Sequence, residues 1–176
     1  MRIAYLTCVY PPYPGGIGIV AQGLAREMAK RGHEVHVFTP HTLRHPERSE
    51  GSRASHDKWD SSASGLKMIG GVNVHHLRSW FRFGNAALLP QVLWRLKQFD
   101  IIHVLYPFFG AAEFIPFLKR YSRAKIVVHH TMDAVDSGWR GKVFRLHSKY
   151  LMPSIFRAAH RVVALSEDYW RNCDLE

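Results

Sequence analysis

An α/β fold, a parallel β-sheet flanked by helices on both faces, is what this chain of 176 residues predicts. Three observations carry the prediction. Short apolar runs of strand length recur along the chain and alternate with amphipathic stretches. The first run, a glycine-closed helical stretch and the second run follow one another as a βαβ unit, which requires a parallel pair. Hydrophobic residues make up 47% and charged residues 22%, so the chain can bury the core of one ordinary globular domain without staples.

Ile3 to Thr7 reads as a buried strand, and a proline- and glycine-rich loop follows from Pro11 to Gly16. Ile17 to Arg31 reads as a helix whose apolar face carries Ile17, Val20, Ala21, Leu24, Ala25 and Met28. Lys30 and Arg31 suit its carboxyl end, and Gly32 is the natural stop. Val35 to Phe38 is the second strand. The pattern then dissolves: residues 41–65 are dominated by Ser, Arg, His, Asp and Gly, which predicts a polar, disordered insertion. Leu66 to Leu77 predicts a hairpin around Gly70-Gly71. Ala86 to Gln98 predicts a helix with Pro90 near its first turn. Asp100 to Leu105 is a strand, and Phe108 to Tyr121 a helix that Pro116 kinks or divides. Lys125 to His129 is a strand, Gly141 to Ala159 is helical in two pieces with Pro153 opening the second, and Arg161 to Leu165 is the last strand. Ser166 then suits the N-cap of a further helix.

Several function classes fall away on composition. The two cysteines, Cys8 and Cys173, belong to no CxxC or Cys/His cluster, so no zinc site is indicated, and a reducing cytoplasm is the default location. The apolar stretch within Met1 to Tyr10 is too short for a signal peptide, and Pro11-Pro12 follow without a cleavage site. No apolar segment approaches the roughly 20 residues that span a bilayer. The net charge of +10 favours an anionic partner. No nucleic-acid motif is recognisable, so nucleic acid is not expected.

Loops at the carboxyl ends of parallel strands are where such folds bind ligands. Gly15-Gly16-Ile17-Gly18 closes the first of these loops and opens a helix. Glycine admits a close approach of backbone N–H groups to a phosphate, and the helix terminus adds unpaired donors and a positive dipole. The same glycines also suit a plain strand-to-helix turn. Gly16 to Ala21 fits the GxGxxA dinucleotide fingerprint too, but a long loop precedes it and the second strand ends in Phe38-Thr39-Pro40 with no acid for a ribose.

The segment from Tyr10 to Gly18 resembles the opening loop of family 4 glycosyltransferases. The resemblance continues through Leu24-Ala25, Arg31 to Thr39, Asp100 to His103, Val128 to Thr131 and Arg161 to Glu167, in the family's order and at its spacing. It implies the N-terminal, acceptor-side half of a GT-B fold: a Rossmann-like domain over residues 1–165, with residues 166–176 opening the connection to a second, donor-binding domain. The expected reaction is transfer of a sugar, with its anomeric configuration retained, from a nucleotide-sugar donor to a glycan or lipid-linked acceptor, without a metal or other cofactor. The isolated chain is expected to lack transfer activity.

The resemblance also assigns residues. Gly15, Gly16, Ile17 and Gly18 face the donor diphosphate, and His130 matches the active-site histidine, with His129 as its alternative. His103, Asp133, Ser166 and Glu167 join His129 as acceptor or cleft residues, although a buried structural role competes for His103 and a helix cap for Ser166. Leu105 stands where the family often has a second polar residue.

Two stretches lack acids altogether. His75 to Phe99 carries Arg78, Arg82, Arg95 and Lys97 among Trp80, Phe81, Phe83 and Trp94. Trp139 to Arg161 carries six basic residues. Basic residues interleaved with aromatics suit an anionic membrane surface, which would make the protein peripheral on the inner membrane face; the competing reading is core aromatics beneath a solvated face. A different class, a non-catalytic basic domain for anionic lipid or nucleic acid, is the alternative to the transferase.

Overall fold

The computed structural model describes residues 1–13, 15–41, 66–132, 138–164 and 166. In chain order these form β1 (Arg2–Leu6), α1 (Gly16–Lys30), β2 (Glu34–Pro40), β3 (Leu66–Ile69), β4 (Val72–Leu77), β5 (Arg82–Phe83), β6 (Ala86–Ala87), α2 (Val92–Arg95), β7 (Ile101–Tyr106), α3 (Ile115–Tyr121), β8 (Lys125–His130), α4 (Gly138–Tyr150), α5 (Met152–Ala158) and β9 (Arg161–Ala164). A 3₁₀ turn at Ala112–Phe114 leads into α3. The sequence insertion at 41–65 falls outside the described residues except for His41, as do Leu165 and nearly all of 166–176.

Seven strands form one sheet in the order β3-β4-β2-β1-β7-β8-β9. Six run parallel, and β3 alone is antiparallel, at the edge. The α/β prediction therefore holds. The βαβ start also stands: α1 ends in a Schellman motif, with Gly32 at φ 82, its N–H bonded to Ala29 O and that of His33 to Met28 O. Gly70 and Gly71, at φ 58 and 80, supply the two left-handed residues that a tight hairpin needs.

Alternation along each strand divides the core in two. On one face Ile3, Tyr5, Val35, Val37, Val72, Val74 and Leu105 meet Ala21 and Ala25 of α1. On the other, Leu6, Phe38, Ile102, Val104, Ile126 and Val128 meet Val92, Ile115, Leu118, Met152 and Ile155 from α2, α3 and α5. Each fully buried aliphatic side chain contributes about 1.5–3 kcal/mol relative to exposure. Pro153 opens α5 and Pro116 opens α3, so each proline starts a helix.

Two expectations need correction. No helix spans Ala86 to Gln98: Ala86 and Ala87 pair with Phe83 and Arg82 as a hairpin, and helix survives only at Val92–Arg95. Tertiary hydrogen bonds override the helical propensity of the alanines. Ala87 N–H donates to Phe109 O and Leu89 N–H to Gly110 O, while the Arg82 guanidinium donates to His41 O. Pro116 does not kink a helix begun at Phe108, because Phe108 to Gly110 is a turn and the α-helix starts at Ile115.

Candidate functional site

The strand register aligns the carboxyl ends. Leu6 pairs with Val104 and Val104 with Val128, which brings Tyr106, His130 and Ala164 into line at the same end of the sheet. The loops after β1, β7 and β8 leave from this end, and Ser166, which is exposed, follows β9 there.

After β1 the chain turns sharply. Buried Thr7 donates its hydroxyl to Val9 O at 2.9 Å, and Tyr13 N–H reaches Tyr10 O at 3.2 Å. Gly15 then caps α1 in an extended conformation, with no side-chain cap and no acid in the first turn. The first amides of a helix have no partner within it. The two neighbouring glycines serve different purposes. A β-carbon on Gly18 would lie 3.2 Å from Val9 O, so Gly18 lets the helix seat against the loop. A β-carbon on Gly16 would meet nothing within 4 Å, so Gly16 faces open space. An uncapped, acid-free and uncovered helix start is chemically suited to an anion.

The histidines of β7 and β8 divide between the two faces. His130 is fully buried on the side of α5, stacked on Tyr106 at 5.6 Å and set against Phe156 at 5.6 Å. His129 points to the opposite face, as alternation demands, and its ring lies 5.6 Å from that of His103. His103 in turn stacks on Tyr5 at 5.0 Å. The structure thus unites His103 and His129 and separates both from His130. Burial, with a smaller effect from His129, lowers the His103 pKa to about 4, and burial lowers that of His129. Both rings are then neutral at neutral pH, each with one donor and one acceptor. His103 Nε2 and His129 Nδ1 are buried and hydrogen-bond to nothing among the described residues. His103 therefore does not hold a loop through this nitrogen.

A polar network behind His130 went unread in the sequence. Glu113 accepts from Gly110 N–H at 2.8 Å and pairs with His147 Nε2 at 2.7 Å, and His147 Nδ1 lies 3.4 Å from the Tyr106 hydroxyl. It fixes the ring against which His130 stacks. The partners are up to 41 residues apart, so only the polar tip of Tyr106 at a strand end could have signalled it.

Asp133 and Glu167 lie outside the described residues. Among the described residues no three His, Cys, Asp or Glu side chains converge as metal ligands, and no helix is long and apolar enough to cross a membrane.

The profile of Glycosyltransferase Family 4 matches residues 14–171. The chain belongs to that family. The match begins at the end of the loop after β1, takes in the glycines that open α1 and the loops after β7 and β8, and runs past β9. No curated protein gives a significant match to the chain. The family membership makes the chain a glycosyltransferase domain with a sugar donor and an acceptor as its partners, and the sheet described above is the Rossmann-like half of a GT-B fold.

Proposed function

We propose that this domain forms the acceptor wall of a glycosyltransferase that moves a sugar from a nucleotide sugar to a hydroxyl of a glycan or lipid-linked acceptor, with retention of configuration. The carrying observation is the start of α1: an uncapped helix terminus with Gly16 open to solvent, inside the matched region. In this reading the amides of Gly15, Gly16, Ile17 and Gly18 hold the donor diphosphate. The helix dipole stabilises the negative charge that grows there as the bond from diphosphate to the anomeric carbon breaks. The acceptor oxygen bonds to the same face of the sugar, and its proton leaves with the diphosphate.

His130 is shut in by Tyr106 and Phe156, so its ring serves as a support and its backbone carbonyl is the group offered to positive charge on the sugar. His129 and His103 supply the neutral donor and acceptor nitrogens for acceptor hydroxyls, His129 nearer the strand end. Ser166, exposed after β9, lines the same end.

Titration of the ¹⁵N-labelled chain with a nucleoside diphosphate tests the diphosphate site. The amide signals of Gly16, Ile17 and Gly18 should shift together. Shifts confined to other regions, or none at millimolar ligand, would remove the diphosphate role. Retention is read from the anomeric ¹H signal of product made by protein purified from its native source; an inverted signal refutes it.

A further inference from the structure

The end of the sheet opposite the candidate site carries charge that the fold leaves unbalanced. β8 opens at Lys125 and β9 at Arg161, and Lys119 stands in the last turn of α3. All three residues are exposed, and none pairs with a carboxylate among the described residues. The sequence supplies no local acid either: none occurs between Glu113 and Asp133, or between Asp136 and Glu167. Glu34 and Asp100, the acids on neighbouring strands, are both bonded to Arg2.

His160 lies among these cations and is locked in one tautomer. Its backbone N–H donates to Ile126 O at 2.7 Å, and Ile126 N–H donates to its Nδ1 at 3.1 Å. A ring nitrogen that accepts carries no proton, so the neutral ring has its proton on Nε2. Nε2 bonds to nothing among the described residues. Burial, and then the charges of Lys125, Lys119 and Arg161, hold the His160 pKa below its usual value, which places the three cations close around the ring. The ring thus offers a fixed N–H donor and adds no charge of its own.

Two of the cations are oriented as well. Lys119 Nζ donates to Arg157 O at 3.2 Å, and the Arg161 guanidinium donates to His160 O at 3.0 Å. Carbonyls aim these groups without neutralising them. A solvated face accounts for scattered lysines, and complementing the carboxyl end of α5 accounts for Lys119. Neither accounts for a neutral donor fixed between three like charges. Such charges repel one another, and an anion seated among them removes the repulsion. An oxyanion would satisfy every donor present: the Nε2–H, two ammonium groups and a guanidinium fork.

We propose that His160, Lys119, Lys125 and Arg161 form a binding site for a compact, multiply charged phosphate group. The six residues of β8, at roughly 3.3 Å each, set this site about 20 Å from the carboxyl-end loops. It therefore stands apart from the amides of α1 and from the transferase reading. The shared chemistry is the phosphoryl oxygens, whether on a free polyphosphate or on a larger molecule.

Titration with inorganic tripolyphosphate at low salt, followed by the ¹⁵N signals of the histidine rings, tests it. The His160 Nε2 signal should move and saturate. K125Q should weaken this binding at least about fivefold, the loss of one charged partner. Its melting temperature should stay unchanged, because the Lys125 side chain is exposed and makes no hydrogen bond among the described residues. R161Q should weaken binding by about tenfold. R78Q removes an exposed cation just past β4, at the other end of the sheet, and should change binding by less than about twofold. Equal losses in K125Q and R78Q would reveal diffuse attraction to a basic protein and overturn the site. So would a His160 ring that stays still, or no binding at low salt. A short DNA duplex and vesicles containing phosphatidylglycerol serve as separate arms. Movement of the His160 signal by either of these, with none by tripolyphosphate, would overturn the compact ligand.

Discussion

Two histidine pairs sit on opposite faces of the same sheet and differ in how they are satisfied. On the face covered by α2, α3 and α5, His36 Nδ1 lies 2.8 Å from His75 Nε2, and His36 Nε2 lies 2.9 Å from Glu34, which also pairs with Arg2. Phe38 and Phe99 enclose the pair. On the face covered by α1, His103 and His129 lie ring to ring, and one buried nitrogen of each hydrogen-bonds to nothing among the described residues. The first chain leads toward the amino ends of the strands, through Glu34, and the second toward the carboxyl ends, through His129. A buried polar atom left unpaired costs about 1–3 kcal/mol. Of the two pairs, the second carries that cost among the described residues, and in the proposed function an acceptor hydroxyl would remove it. The first pair is satisfied within the fold, while the second keeps two nitrogens unpaired among the described residues.

The largest expected effect that sharpens this contrast is on pH-dependent stability. Burial lowers the pKa of His75, aided by His36, and that of His103 to about 4 each. The unfolded chain takes up these protons near pH 6.5, before the folded state does, so stability is complete above pH 6.5 and falls as the pH drops toward 4. Urea titrations across this window should show His103 contributing roughly 2–3 kcal/mol of the loss. His75, more screened by solvent, should contribute roughly 1–2 kcal/mol. H103Q should remove the larger share of the slope, and a slope untouched by H103Q would show that His103 is not deeply buried.

Smaller, and of opposite sign on the two faces, are the leucine substitutions. H36L breaks two hydrogen bonds and should destabilise by about 2 kcal/mol. H103L removes an unpaired polar atom and loses a stack on Tyr5, so it should be neutral or stabilising by up to about 1 kcal/mol. Equal losses in chemical denaturation would erase the distinction between the pairs. The smallest effect is the coupling itself. A double-mutant cycle should give about 0.5–1 kcal/mol between His36 and His75 and no more than about 0.3 kcal/mol between His103 and His129. Strong coupling in the second pair would mean that it, too, is built for support.

Local chemistry made much of this fold legible. Gly32 as a helix stop and Gly70-Gly71 as a hairpin follow from backbone freedom within a few residues, and the βαβ start follows from periodicity. Ala86 and Ala87 misled because what fixes them is distant: Gly110 and Phe109 in the loop after β7, and His41 held by Arg82. For the candidate site, the glycines before α1 and the family's motif order pointed to the loop after β1, while His129 and His130 stood as alternatives in the sequence until the strand's alternation placed them on opposite faces. The pairing of His36 with His75 and of Glu113 with His147 could not be read, since residues 39 and 34 positions apart meet only once the sheet is assembled.

Gly110 carries a further consequence. At φ 88, with Ala87 O only 2.5 Å from where a β-carbon would sit, it presses the aromatic hairpin directly against the loop that leads into the Glu113 network. There is no slack at that junction. The hairpin and the wall that supports His130 therefore meet at a single glycine, where no larger residue fits.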